Sequence, residues 1–95
     1  MILEHAVLTI TPGREPEFEA AFERAPEIFE RAHGCDGVQL HRCLEESCYL
    51  LLVVWDTLED HVEGFRNSAL FTEWRALVGP YFDEAPQVTH YATIG

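Results

Sequence analysis

Residues 60–77, DHVEGFRNSALFTEWRAL, gather a histidine, two arginines, two phenylalanines and a tryptophan within a few helical turns. A histidine ordinarily titrates near neutrality, so His61 is suited by type to accept or deliver a proton. Arg66 and Arg75 are permanent cations that suit the stabilisation of a substrate anion. Trp55, Phe65 and Trp74 supply flat apolar surface against which an aromatic ligand would lie. These residue types would bind a planar aromatic, hold its anion and move its protons. The same residues also admit a plainer reading. Leu70, Phe71, Trp74, Leu77 and Val78 recur at helical spacing and describe a buried stripe, Trp55 and Phe65 fit core positions, and both arginines have many glutamates within reach.

The elements that must carry these side chains follow from patterning. Residues 2–10 alternate as a strand and end at the turn Thr11-Pro12-Gly13. A helix follows from Glu15 to Ala32, with Phe18, Phe22, Ala25, Phe29 and Ala32 on one face. Pro26 inside that pattern predicts a kink or break near Arg24. The run from His33 to Gly37 ends the helix. Residues 38–44 and 48–55 read as strands joined by a hairpin turn at LEES, residues 44–47, whose first residue ends the strand. Thr57 and Asp60 resemble a capping box that opens a short helix. Asn67-Ser68 then caps a second helical piece over about 69–78, which stops at Gly79-Pro80. A last strand covers 87–94, with His90 and Tyr91 on opposite faces.

The order β-α-β-β-α-β, with the second helix broken in two, predicts an α+β ferredoxin-like fold: an antiparallel sheet with helices on one face. In the strand CYLLLVVW both alternating faces are apolar, whereas a sheet with one wet face should alternate apolar and polar residues. A second copy packed sheet to sheet would cover the spare face, so a homodimer is expected. An apolar ligand or another protein on that face is the alternative.

Totals narrow the partners. Ninety-five residues make a single domain, residues 1–95. Six arginines, no lysine and 17 acidic residues give a net charge of −11, which repels nucleic acid and anionic membranes and leaves no lysine for Schiff-base chemistry. No apolar run approaches membrane-spanning length. The N-terminus has no basic region or cleavage site of a signal peptide. The odd count of three cysteines, Cys35, Cys43 and Cys48, then favours reduced thiols in the cytoplasm. Cys43 and Cys48 flank the hairpin and could pair under oxidation. Their spacing with His41 matches no common zinc pattern, so no metal is expected.

The strand end VVW, the segment LEDHVEGFRNSALFTEWRALVGPYF and the terminal VTHY together resemble the antibiotic biosynthesis monooxygenase family, as does ITPGREPEFEAAFERA near the front. The resemblance implies a ferredoxin-like unit that forms a dimeric α+β barrel. It also implies cofactor-independent oxygenation, with O2, of a small aromatic, anthrone or quinol-type metabolite. Trp55 stands where the anthrone oxygenases carry a pocket tryptophan. Arg75 stands where they carry a functional arginine. His61 replaces their tyrosine, and Leu51 replaces their asparagine. The resemblance thus assigns His61, Arg75 and Trp55 to catalysis, and Phe65, Arg66, Leu51 and Trp74 to the substrate wall. Family members that degrade haem carry a triad that falls on Ala6, Gly64 and Trp74 here, which leaves no haem ligand. Two other readings stay open at this level: a haem-binding oxygenase, and a small-molecule-binding or stress-related dimer without catalysis.

Overall fold

A computed structural model describes residues 1–95. The chain runs β1 (Ile2–Thr9), α1 (Glu15–Phe22), α2 (Ala25–Glu30), β2 (Cys35–Arg42), β3 (Cys48–Trp55), a π-helical segment (Asp60–Phe65), α3 (Ala69–Val78), a 3₁₀ turn (Gly79–Tyr81) and β4 (Gln87–Ala92). The four strands form one sheet in the order β2-β3-β1-β4, every neighbouring pair antiparallel. The helices cover one face. This is the ferredoxin-like α+β arrangement that the sequence predicts.

Each break in the helical layer has a local cause. α1 ends at Phe22 and α2 begins at Ala25, because Pro26 cannot donate to the preceding turn. The Thr57 hydroxyl accepts the Asp60 amide at 3.1 Å, as the capping pattern requires. The segment it opens is π-helical, with the Arg66 amide reaching back five residues to the His61 carbonyl at 3.1 Å. Such widened turns are frequent at functional sites. Ser68 begins α3, but its hydroxyl turns back to the Phe65 carbonyl at 2.7 Å and caps no amide. β2 starts at Cys35, earlier than its apolar pattern suggests, because a bulge between Cys35 and Gly37 carries the pairing across Asp36.

The core lies between the sheet and the helices. Ala6, Leu8 and Ile10 of the first strand region and Tyr49, Leu51, Val53 and Trp55 of β3 point inward to meet Phe18, Phe29, Phe65, Trp74 and Val78. Burying a side chain of this size stabilises the fold by roughly 1.5–3 kcal/mol. β1 also brings one charged residue into this layer: Glu4, in phase with Ala6 and Leu8, is only 5% exposed. On the opposite face Leu3, Val7, Leu50, Leu52 and Val54 remain partly exposed, so the middle of the sheet is apolar on both sides. Cys35, Cys43 and Cys48 are unbonded thiols. No helix is long and apolar enough to cross a membrane.

Gly34 fixes where the π-helical segment sits. Its φ of +78° belongs to the left-handed region, and a Cβ there would lie 2.2 Å from Asp60 Oδ2. Its carbonyl also accepts the Asp56 amide at 2.8 Å. Gly34→Ala is expected to lower stability by about 1–3 kcal/mol, read as a shift of the urea midpoint.

Candidate active site

Four elements converge on one buried polar chain. β1 contributes Glu4, β3 contributes Trp55, the π-helical segment contributes His61, and β4 contributes His90. Trp55 Nε1–H donates to Glu4 Oε1 at 3.0 Å. His61 Nε2 lies 3.2 Å from the same oxygen. His61 Nδ1 lies 2.7 Å from His90 Nε2. The direction of the His61–His90 hydrogen bond depends on the tautomer, and His61 Nε2 faces the Glu4 carboxylate as a close electrostatic contact. The imidazole also stacks on the Trp55 indole, with centroids 5.1 Å apart and planes 16° apart. His61 is therefore held by His90 at Nδ1, lies against Glu4 at Nε2 and stacks on Trp55 with one face.

The surroundings set the charge states. Burial raises the Glu4 carboxyl above its ordinary value, opposed by the Trp55 hydrogen bond and by the positive charge of Arg66. Burial, then Arg66 and then His90, push the His61 imidazole down to about 4. His90 is lowered too, by burial first and Arg66 second. At neutral pH His61 is thus a neutral imidazole, and the group with unusual basicity for its type is Glu4. Its second oxygen, Oε2, makes no hydrogen bond within the protein, yet no buried polar side-chain atom is sealed off without a partner. Oε2 is consequently open to what lies beside it.

Beside it is a cavity of about 470 Å³. Glu4 and His61 form its polar end, and Leu51, Phe65, Phe71, Trp74, Phe82 and Val88 supply much of its apolar wall. Arg66 and Arg75, both exposed, sit on its rim together with Glu84. Phe65 is held by Phe29, whose ring stacks on it at 5.3 Å, and by Phe71 at 5.7 Å. Trp74 packs edge-on to Phe22 and Phe29 while still presenting surface to the cavity. An apolar slot with a few convergent polar groups is the usual form of a small-molecule site. No group of three or more His, Cys, Asp or Glu is arranged to hold a metal ion.

Of the residues singled out from the sequence, His61, Phe65, Arg66, Leu51, Trp74 and Arg75 all line this cavity. Trp55 does not. It is fully buried behind His61, and its part is to hold Glu4 and the imidazole in place. Glu4 and the wall residues Phe71 and Phe82 belong to the site but were not singled out as site residues by the sequence. His90 is the member of the His90/Tyr91 pair that points toward the helices.

The fold and the chain both have relatives. The family model described as antibiotic biosynthesis monooxygenase matches residues 1–77. The uncharacterized protein YczJ of Bacillus subtilis (strain 168) is 44% identical over 95 residues, which cover 99% of this chain and 100% of that protein. A Bordetella bronchiseptica protein bearing the same family description has a crystal structure that matches with a TM-score of 0.94 and 48% identity, covering 98% of this chain and 96% of the other. A Streptomyces coelicolor monooxygenase from the gene ActVA-Orf6, crystallised with nanaomycin D, matches with a TM-score of 0.80 over 99% of this chain and 88% of its own. Its 15% identity makes that likeness one of fold alone.

Proposed function

The chain belongs to the antibiotic biosynthesis monooxygenase family, and on that premise we propose that it is a cofactor-independent monooxygenase acting on a small hydroxyaromatic or anthrone-type metabolite. One observation carries this reading: a buried carboxylate, held by the Trp55 N–H and in close contact with His61, presents a free oxygen to an aromatic-walled cavity. The S. coelicolor monooxygenase, which shares this fold and was crystallised in complex with nanaomycin D, supports a small-molecule ligand.

The chemistry needs little from the protein. Glu4 Oε2 removes the proton of the substrate hydroxyl, or of the carbon acid in the anthrone tautomer. The resulting anion passes one electron to O2, and the two radicals recombine to form a C–O bond at the carbon para to the hydroxyl. The peroxide then loses its O–O bond as the C–H proton at that carbon departs, giving a quinone and one water. One substrate and one O2 are consumed for each quinone and water formed. Glu4 returns its proton to the leaving oxygen, so the site ends as it began.

The residues divide this work. Arg66, whose charge already acts on Glu4, His61 and His90, stabilises the substrate anion. His61 and Trp55 fix the carboxylate, and His90 fixes His61. Phe65, Phe71 and Trp74 align the ring and exclude water. The assembly we propose is a homodimer through the sheet face, supported by the partly exposed Leu3, Val7, Leu50, Leu52 and Val54 at the centre of the sheet.

Oxygen uptake by chelator-dialysed protein tests the reading. With naphthol-, quinol- and anthrone-type compounds, at least one substrate is expected to consume O2 faster than its spontaneous oxidation, one O2 per quinone. No uptake above background across the panel, with tight binding retained, would leave a binding protein in place of an enzyme.

A further inference from the structure

The arginines of this chain are unevenly committed. Arg14, Arg31 and Arg42 each pair with a glutamate. Arg24, Arg66 and Arg75 pair with none, although the chain carries 17 acidic residues, and of these three Arg66 and Arg75 stand on the cavity rim. They do not occupy equivalent places. Arg66 follows the π-helical segment, its amide bonded to the His61 carbonyl, beside the Glu4–His61 end. Arg75 lies on α3, its guanidinium 5.8 Å from the Phe71 ring, and is not among the charges that act on Glu4 or His61. Glu84, the one rim carboxylate, accepts from the Thr9 hydroxyl at 3.2 Å and forms no ion pair. The second cation is therefore unexplained by the protein and is not needed at the reacting hydroxyl.

We infer that the substrate is an aromatic acid: a hydroxyaromatic that bears a carboxylate on the part of the ring system remote from its reacting hydroxyl, with Arg75 receiving that carboxylate. This deepens the oxygenase reading and rests on the same cavity. The hydroxyl would meet Glu4 Oε2 and Arg66 at the polar end, the rings would lie between Phe65, Phe71 and Trp74, and the carboxylate would emerge at the rim. A guanidinium offers such a carboxylate a forked pair of donors, and its position over Phe71 limits the freedom it would lose on binding. The net charge of −11 opposes anionic ligands, so a preference for the acid has to come from a local cation.

Calorimetric titration without oxygen, using 5-hydroxy-2-naphthoate and its methyl ester, tests this. The acid is expected to bind wild-type protein about tenfold or more tightly than the ester. Arg75→Gln should erase or invert that preference while leaving the ester's affinity unchanged. Arg66→Gln should weaken both ligands alike. Equal affinities for acid and ester in wild type, an undiminished preference in Arg75→Gln, or failure of both compounds to bind would overturn the inference. Oxygen uptake with the same pair separates it from the reading beneath it. If the ester is bound and oxidised as well as the acid, the oxygenase reading stands and the aromatic-acid inference falls. If the acid binds through Arg75 but consumes no O2, the reverse holds.

Discussion

Glu4→Gln is expected to lower kcat/KM for oxygen consumption by about 10²–10⁴-fold, the range a positioned general base contributes. The substitution keeps the shape of the side chain. Its amide oxygen can still accept from Trp55, while the group facing the cavity changes from a proton acceptor to a donor. The loss should come without a loss of stability. Burial raises the carboxyl of Glu4, so its contribution to folding is favourable below its unfolded value and disappears as pH rises through the folded one. At neutral pH the buried charge is a cost, and glutamine removes it. A variant that is inactive yet at least as resistant to urea as wild type is the expected result; joint loss of activity and stability would mean that Glu4 is structural.

The pH profile follows from the same groups. In wild type kcat/KM should rise with pH through the raised value of Glu4, and that limb should be absent in Glu4→Gln. His61 acts on stability in the opposite sense. Its folded value of about 4 lies below the ordinary 6.5, so its contribution is complete above 6.5 and is lost as pH falls toward 4. The amount at stake is about 3 kcal/mol, reduced by the opposing contribution of Glu4 in the same window. His61→Phe should therefore flatten acid unfolding between those limits while loosening the carboxylate it holds.

The second large effect concerns assembly. Leu52→Glu is expected to weaken self-association by about 10²–10³-fold, observed as a shift from dimer to monomer in sedimentation at micromolar concentration. Leu52 sits on β3, between Leu50 and Val54, on the sheet face that the helices leave open. A carboxylate there would be buried without a partner in a sheet-to-sheet dimer. It would be harmless on a face that met only water. A wild-type protein that sediments as a monomer would refute the burial argument outright.

How much of this could be read from the sequence differs from residue to residue. The strand and helix order was legible because each element keeps its own period and each break has a marker: Pro26 between α1 and α2, Thr57 at the π-helical segment, Ser68 at α3. The apolar character of both faces of β3 was legible for the same reason. Glu4 was not. A single glutamate in a strand reads as solvent-facing, and in β1 the phases Glu4-Ala6-Leu8 and Leu3-His5-Val7 are each mostly apolar, so pattern alone does not choose the inward one. Pairing does: Glu4 sits opposite Val53 on one side and His90 on the other, in the sheet's interior. The π-helical turn was also hidden, because His61 and Phe65 are spaced as they would be in an α-helix and the extra residue shows only in the bond from the Arg66 amide back to the His61 carbonyl. Trp55 was singled out from the sequence, but its place behind the cavity wall was not legible there. Its register places it inward, and only the three-dimensional packing shows His61 lying between it and the cavity.

Labelling with ¹⁸O2 tests the central claim most directly, that this chain alone joins an oxygen atom of O2 to a hydroxyaromatic substrate. Protein freed of metal and flavin, turning over a naphthol with an unsubstituted para carbon, should give a quinone that carries one ¹⁸O atom, with the other in water. The labelled product should fall to the spontaneous level in Glu4→Gln. A quinone labelled from H2¹⁸O in place of O2, or label incorporated equally by wild type and Glu4→Gln, would contradict the account.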